Sequence, residues 1–187
     1  MFPTSRAVLA LALALAAGGC NEDPFAPDLA PQGEARFTYS GERTGEFVGA
    51  GRLNRRNPNA GTWAVGEQQT VGGTQVLAVL SQQGQPDLKV DFLLIEWAGA
   101  QVGSATCDAS DTASCPFDAV FIVKADRFSE VSEAVYTNPT GTLTVTGLSA
   151  DRAVGTFSLT MLREDSGDPP TSIQVSGSFD VPLNVMD

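Results

Sequence analysis

The chain has 187 residues, with 22 acidic side chains, 11 basic ones and no histidine, and its formal charge at neutral pH is −11. This charge disfavours nucleic acid and anionic lipid headgroups as partners, because both require positive potential. The lack of histidine excludes imidazole-based catalytic triads and the usual zinc sites. The length is sufficient for one domain with a substantial core.

The first segment in chain order has the features of an export signal. Arg6 is followed by an apolar run at residues 7–17, made only of Ala, Leu and Val, and then by Gly18 and Gly19 before Cys20. The run is too short to span a bilayer, and a positive start with small residues at the end is typical of a cleaved signal. We therefore predict that residues 1–19 are removed, which takes away Arg6 and leaves a formal charge of −12.

Residues 17–20, Ala-Gly-Gly-Cys, resemble the lipobox of bacterial lipoproteins, with Ala17 where leucine is commoner. The resemblance implies cleavage just before Cys20 and a diacylglycerol on its sulfur. Acyl chains would then hold the protein on a membrane without a transmembrane helix. The expected location is the cell envelope, lipid-anchored, with the outer membrane implied by the resemblance. The alternative is an ordinary secretory signal followed by an unrelated cysteine.

Residues 20–33 are expected to form the lipidated cysteine and a tether. Prolines occur at positions 24, 27 and 31, together with three acidic side chains. Proline at this density favours extended chain and prevents regular strand pairing. We therefore assign the folded β domain to residues 34–187.

From residue 35 onward, apolar residues recur with a period of two, which is typical of strands. Gly, Asn-Pro, Asp-Pro or Ser-Gly separates the segments that show this pattern. They are residues 35–40, 46–53, 61–67, 74–82, 87–97, 117–124, 141–148, 153–162 and 172–181. Short strands at this spacing predict an all-β fold, an antiparallel β-sandwich or barrel-like domain of about 8–10 strands. Only residues 127–136 could host a helical turn.

Glycine followed two residues later by an aromatic residue opens several of these segments. Such a glycine allows a bulge or a close neighbouring backbone, and the aromatic side chain on the same face could cover the gap. The pairs are Gly45 and Phe47, Gly61 and Trp63, Gly155 and Phe157, and Gly177 and Phe179.

Two cysteines remain once Cys20 is assigned to lipid. Cys107 and Cys115 flank a stretch of small polar residues, and an even pair in an exported chain most simply forms a disulfide. Closing this short loop should stabilise the fold by about 2.5 kcal/mol in the chain-entropy model. A metal site would need more ligands, so we predict no metal and no cofactor.

Carboxylates are the remaining candidates for chemistry. Glu96 shares a strand face with Phe92 and Leu94 and lies beside Trp97, so partial burial could raise its pKa. A glycosidase would need a second carboxylate, and Asp91 lies on the opposite face of the same segment. The alternative interpretation is that Glu96 marks a strand end that meets solvent.

The aromatic residues Trp63, Trp97 and Tyr136 are candidate contact residues or core residues.

The acidic loops at residues 107–118 and 163–170 could bind calcium but match no known calcium-loop spacing, and we interpret them as solvated hairpin tips. The basic cluster of Arg52, Arg55 and Arg56 is interpreted as a solvated turn.

The C-terminal third, residues 141–183, resembles the closing strands of uncharacterised bacterial envelope lipoproteins. It contains a G-x-L-x-V strand, a G-T-F-S strand and a final G-x-F-x-V-P strand. The resemblance implies an all-β lipoprotein and transfers no catalytic residues.

These observations together predict a non-enzymatic binding or structural module on the cell envelope, with a protein or glycan ligand. The alternatives are a carboxylate-based glycan-active enzyme and a lipocalin-like carrier of a small apolar ligand.

Overall fold

The computed structural model describes residues 27–87, 89–108, 114–126, 131–165 and 170–185. This part of the chain is almost entirely antiparallel sheet and contains no α-helix, which confirms the predicted all-β fold. The ten strands are β1 (Leu29–Gly41), β2 (Gly45–Asn54), β3 (Trp63–Val71), β4 (Thr74–Gly84), β5 (Val90–Ala98), β6 (Gly103–Cys107), β7 (Phe117–Ala125), β8 (Ala134–Leu148), β9 (Arg152–Arg163) and β10 (Ser172–Pro182).

All ten strands belong to one sheet with the order β2-β1-β10-β9-β8-β7-β5-β4-β3, and β6 pairs with β8 beside this path. The last strand in sequence, β10, therefore lies between β1 and β9. The long strand β8 serves two neighbours, because Ala134–Tyr136 pairs with β7 and Gly141–Val145 pairs with β6. A register shift separates these two parts between Thr137 and Thr140.

The sheet rolls into a nearly closed barrel, and the C-terminal segment reaches its far edge. Leu183 forms an isolated parallel bridge with Gly66 of β3. The Asn184 N–H donates to the Gly66 carbonyl oxygen (3.0 Å), and the Gln68 N–H donates to Asn184 Oδ1 (3.0 Å). The continuation of β10 thus holds the free edge of β3.

Strand β2 crosses the edge of β3, and glycines permit the close approach. A Cβ on Gly51 would overlap the carbonyl oxygen of Thr62. Inward residues of β2 consequently reach two different cores. Phe47 packs in the barrel interior, whereas Leu53 packs in a second cluster with Trp63.

The barrel interior is filled by side chains that alternate with outward ones along each strand. Phe37 occupies its centre, with its ring centroid 4.7 Å from that of Phe47 and 5.0 Å from that of Phe121. The Phe121 ring also stacks on Tyr136 at 6.3 Å. Aromatic pairs at these separations stabilise a core beyond the apolar area that they bury.

The folded domain begins before the predicted boundary at residue 34. Strand β1 begins at Leu29, and Ala30 is fully buried in the second cluster. Pro31 is accommodated because the β1–β2 register shifts between Leu29 and Gln32 and pairing with β10 begins only at Glu34. Part of the expected tether is therefore an edge of the sheet.

All nine predicted strand segments lie within observed strands or overlap them, and β6 is the strand that the sequence pattern missed. The predicted Cys107–Cys115 disulfide is confirmed, with the two Cα atoms 5.0 Å apart. It joins the end of β6 to the segment before β7. Of the expected helical turn, residues 134–136 belong to β8, and residues 127–130 lie outside the described residues.

Candidate functional site

The outer surface of five adjacent strands carries a regular array of hydroxyl groups, which we call the hydroxyl face. One row crosses all five strands, and a second row, two residues further along each strand, crosses four of them. The first row is Thr106, Thr142, Ser158, Ser176 and Thr38, and the second is Ser104, Thr144, Thr156 and Ser178.

The local sequence explains why these side chains point outward. In β8 and β9 the intervening residues Leu143, Phe157 and Leu159 are buried in the barrel interior. A strand alternates its side chains between two faces, so every hydroxyl between them faces solvent. Strand spacing places neighbouring hydroxyl-bearing residues about 4.8 Å apart across the sheet and about 6.8 Å apart along a strand.

The hydroxyl face contains a shallow depression of about 350 Å³. Its lining includes Thr142, Thr144, Thr156, Ser158 and Ser176. Some hydroxyls bond to each other, since Ser104 Oγ and Thr144 Oγ1 are 2.7 Å apart. The two rows bear no charge until they reach Arg36 and Glu46 on β1 and β2. The face is therefore a neutral, polar surface on an otherwise acidic protein.

A pair of carboxylates occupies a different outer surface. Glu96 of β5 lies directly opposite Asp118 of β7. Burial and the neighbouring Asp118 carboxylate raise the pKa of Glu96. Desolvation also raises the pKa of Asp118, which is the more exposed of the two, although the Ala119 N–H donates to its Oδ1 (2.8 Å) and opposes the rise. The sequence analysis identified Glu96 as a candidate but missed Asp118. The two residues lie opposite each other because β5 pairs with β7 and not with β6, the next strand in the chain.

Asp91 is a third acidic residue with a raised pKa, and it faces the barrel interior. The residue is 5% exposed, and burial raises the pKa of its carboxyl group. Two donors compensate in part, the Lys124 N–H (2.7 Å) and Gln85 Nε2 (2.6 Å). The structure confirms that Asp91 lies on the opposite face from Glu96, so the two cannot act as a pair.

A polar network centred on Glu42 joins two strand connections. Arg163 Nη1 lies 2.5 Å from Glu42 Oε1, and Thr171 Oγ1 donates to Glu42 Oε2 (2.8 Å). These hydrogen bonds, from Thr171 first and then Arg163, lower the pKa of Glu42. The side chain of Tyr136 also donates to Glu42 Oε2 (3.3 Å). The network ties the β1–β2 and β9–β10 connections together.

The candidate contact aromatics are core residues. Trp97 is 4% exposed and belongs to the barrel interior, and Tyr136 is fully buried. Trp63 is 5% exposed in the second cluster, and its Nε1–H donates to the Pro58 carbonyl oxygen (2.8 Å). Trp63 and Trp97 therefore pack in the two cores, as the core interpretation expected, and little of either ring is exposed.

The basic cluster is more than a solvated turn. Arg52 Nε donates to the Ala30 carbonyl oxygen (2.7 Å), and the Arg55 backbone N–H donates to the Asp28 carbonyl oxygen (2.8 Å). The Arg55 side chain also donates to the Val185 carbonyl oxygen and pairs with Asp28, with Nη1 2.8 Å from Oδ1. These contacts hold Arg52 and Arg55 against the N-terminal end of β1.

Cys20, the predicted lipidation site, lies outside the described residues. Within the part that the structure describes, no helix is both long and apolar enough to cross a membrane. The same residues contain no group of three or more His, Cys, Asp or Glu side chains placed to hold a metal ion.

Comparison with known proteins identifies no relative. No protein-family model matches the chain, and neither the curated proteins nor the solved structures contain a match. The candidate site therefore rests on the geometry of this chain alone.

Proposed function

We propose that this protein is a lipid-anchored component of the bacterial cell envelope whose barrel-like domain is a non-enzymatic binding module. The hydroxyl face is its contact surface. The observation that carries the proposal is the uncharged row of Thr and Ser side chains that continues across five strands, from Thr106 to Thr38.

A hydroxyl array suits a neutral polar ligand. Each Ser or Thr hydroxyl can both donate and accept a hydrogen bond, so the face can match sugar hydroxyls in either direction. Its regular spacing suits a repeating polymer, and the negative charge of the whole chain disfavours acidic ligands. We therefore name a neutral glycan as the ligand class.

The anchor is tested by a single substitution. In the full precursor, Cys20→Ala should move the protein from the membrane fraction to the soluble fraction, because the acyl chains would have no attachment point. Intact mass of the wild-type protein should show the added lipid. Membrane retention of the Cys20→Ala variant would contradict the lipid anchor.

The binding surface is tested separately by sedimentation with an insoluble neutral glucan. Thr144→Val with Thr156→Val removes two central hydroxyls while keeping side-chain shape, so glycan binding should fall. Thr70→Val, at an exposed position on β3, is the matched control. Binding by the double variant equal to that of wild type would exclude the hydroxyl face.

A glycan-active enzyme is the second candidate, and the Glu96–Asp118 pair favours it. The two side chains face each other on neighbouring strands, and both have raised pKa values. Glycoside hydrolysis uses a pair of carboxyl groups, one of which has a raised pKa and acts as the acid. Release of reducing sugar by wild type, abolished by Glu96→Gln and by Asp118→Asn, would replace the binding module with this function.

The lipocalin-like carrier receives less support. Such a carrier needs an apolar cavity of several hundred cubic ångströms. In this barrel Phe37, Phe47, Phe121 and Phe157 contact one another across the interior. Side chains thus occupy the central space that an apolar ligand would use.

A further inference from the structure

Strand β6 has one backbone edge without a strand partner. Its five residues pair with Gly141–Val145 of β8 on the other edge. Alternate residues of such a strand direct their N–H and C=O groups away from the partner. In the part of the chain that the structure describes, no further backbone hydrogen bond reaches residues 103–107. Gly103, Ser104 and Thr106 are exposed, so this edge is accessible to solvent.

The strands at the two ends of the sheet, β2 and β3, have covered edges by contrast. The Val48 N–H of β2 donates to Oε1 of Gln83 (2.8 Å), and Leu183 and Asn184 hold β3 at Gly66. Proteins cover an edge, or place Lys, Pro or a bulge in it, because a free edge can pair with another chain. The β6 sequence, Gly-Ser-Ala-Thr-Cys, has no charge or proline, and its pairing with β8 shows no register shift.

A second copy of β6 fits this free edge. Antiparallel pairing about Ala105 sets Ser104 opposite Thr106 of the second copy and pairs all five residues, whereas a shifted register pairs fewer. Such a contact uses the same surface on both molecules and therefore closes as a dimer. Neither β6 nor residues 141–145 of β8 bear a charge, so the edges can approach although the chain is acidic. Val102, directly before β6, is 59% exposed, and pairing would cover part of it.

We propose that two copies of this protein pair through β6 as an antiparallel dimer, so that one sheet continues from one molecule into the other. The strand pair is short and smaller than a standard interface, so the dimer is weak and reversible. Side chains directly opposite each other lie on the same side of a sheet, so the hydroxyl face continues across both molecules. The pairing itself requires neither the proposed glycan nor the lipid anchor.

Two charge variants test the pairing and its register. Ser104→Lys with Thr106→Lys places like charges opposite each other twice, whereas Ser104→Lys with Thr106→Glu places opposite charges there. Within each molecule both variants face the same neutral side chains, Thr144 and Thr142 of β8. Each cross-strand charge pair should change the dimer dissociation constant by about 1.4- to 5-fold. The Lys–Lys variant should therefore dissociate more readily than wild type, and the Lys–Glu variant less readily.

Overall charge predicts a different order. The Lys–Lys variant is the less acidic of the two, so a change in general repulsion alone would favour its dimer. The matched controls are Thr156→Lys with Ser158→Lys and Thr156→Lys with Ser158→Glu, at exposed positions of the central strand β9. These two controls should not reproduce the weaker and tighter association of the β6 variants.

Sedimentation equilibrium of the mature chain carrying Cys20→Ala measures the dissociation constants. Hydrogen exchange at low and high protein concentration locates the contact, and amides of residues 103–107 should exchange more slowly at high concentration. The Lys–Glu variant also controls for folding, because a loss of structure cannot tighten this dimer.

The order Lys–Glu, wild type, Lys–Lys from tightest to weakest dimer supports the proposal. A protein that stays monomeric up to about 1 mM would overturn it. Equal dissociation constants for the two β6 variants, or exchange at residues 103–107 that does not depend on concentration, would overturn it as well. An added peptide that slows exchange of β6 in a monomeric protein would show that the edge serves a different chain.

Discussion

Aromatic rings in this barrel lie against glycines of the neighbouring strands. Gly155 of β9 is directly opposite Phe179 of β10, and Gly177 of β10 is opposite Phe157 of β9. The sequence pattern suggested that each ring covers the glycine two residues earlier on its own strand. The structure instead pairs the two glycine–aromatic motifs across the β9–β10 ladder, where the Phe179 ring fills the space beside Gly155. The space beside Gly177 is filled by Phe37 of β1.

We expect Gly155→Ala to destabilise the domain. The added Cβ would lie 2.5 Å from the Thr144 carbonyl oxygen and would overlap the Phe179 ring. Such overpacking costs about 1–3 kcal/mol. Denaturant unfolding of the variant measures the loss.

Gly147→Ala is the matched control for this substitution. Its Cβ would meet Val154 at an ordinary distance of 3.7 Å. Its free energy of unfolding should therefore stay close to that of wild type or rise slightly. Equal losses in both variants would show that backbone preference, and not ring packing, determines the cost.

The Glu96–Asp118 pair makes stability depend on pH. Both pKa values are raised in the folded state, so ionisation at neutral pH opposes folding, and this penalty disappears as pH falls below the ordinary pKa values of the two groups. Glu96→Gln should therefore raise the free energy of unfolding at pH 7 by about 0.2–1 kcal/mol. The gain should vanish below about pH 4.

Thermal unfolding at several pH values measures this effect, with Glu46→Gln as the control. Glu46 is an exposed carboxylate of β2 that lies opposite Thr38. A gain at neutral pH for Glu46→Gln as large as that for Glu96→Gln would point to the net charge of the protein as the cause.

At the scale of elements, β6 is a short strand with a covalent link at its end. It has five residues, its one strand partner in the sheet is β8, and Cys107 at its end forms the disulfide with Cys115. Its residues Ser104 and Thr106 begin the two rows of the hydroxyl face. The disulfide therefore positions one margin of the candidate binding surface.

Removing the disulfide should weaken the fold. Replacing both Cys107 and Cys115 with Ser should lower the free energy of unfolding by about 2.5 kcal/mol, as expected for a loop of this length. Denaturant titration of the variant against oxidised wild type measures the difference. Reduced wild type should match the variant, and no loss in either would mean that the loop is ordered without its bridge.

Strand β8 bends at the register shift that separates its two partners. Asn138 has φ of 51° there, a left-handed conformation that Asn tolerates better than most residues. Pro139 follows and interrupts regular hydrogen bonding. The bend lets one strand continue from the β7 ladder into the β6 ladder.

At the scale of the whole molecule, the C-terminal segment closes the barrel. Leu183 is 4% exposed and packs in the main core, and Val185 is 7% exposed and packs in the second cluster. The segment also supplies the hydrogen bonds to Gly66 and Gln68 of β3. The C-terminal segment therefore packs against both cores and also forms hydrogen bonds with the free edge strand β3.

Deleting residues 183–187 should open this edge. The burial of two apolar side chains would be lost, at about 1.5–3 kcal/mol each, and the amides of β3 should exchange faster with solvent. A chain lacking only residues 186–187 is the control. Hydrogen exchange measured in both chains makes the comparison, and unchanged protection of β3 in the longer deletion would show that β2 alone secures the edge.

Local patterns in the sequence predicted much of the fold. Alternation in segments such as 153–162 identified nine strands and the all-β class, because side-chain period depends only on the strand itself. The pattern missed β6, whose residues Ala105 and Cys107 are small and give little apolar contrast. The same alternation indicates which hydroxyl side chains point outward. It does not indicate that they form one surface across five strands, because the order of the strands in the sheet cannot be derived from it.

The sequence by itself determined the strand segments, the disulfide partners and the expectation of an export signal with a lipidated Cys20, since each follows from residues close together in the chain. The tertiary structure alone decided which strands became neighbours. It placed β10 between β1 and β9, aligned hydroxyls from five strands into one surface and set Asp118 opposite Glu96. Such pairings join residues far apart in sequence, and their free energy comes from packing the whole barrel, which no local pattern contains.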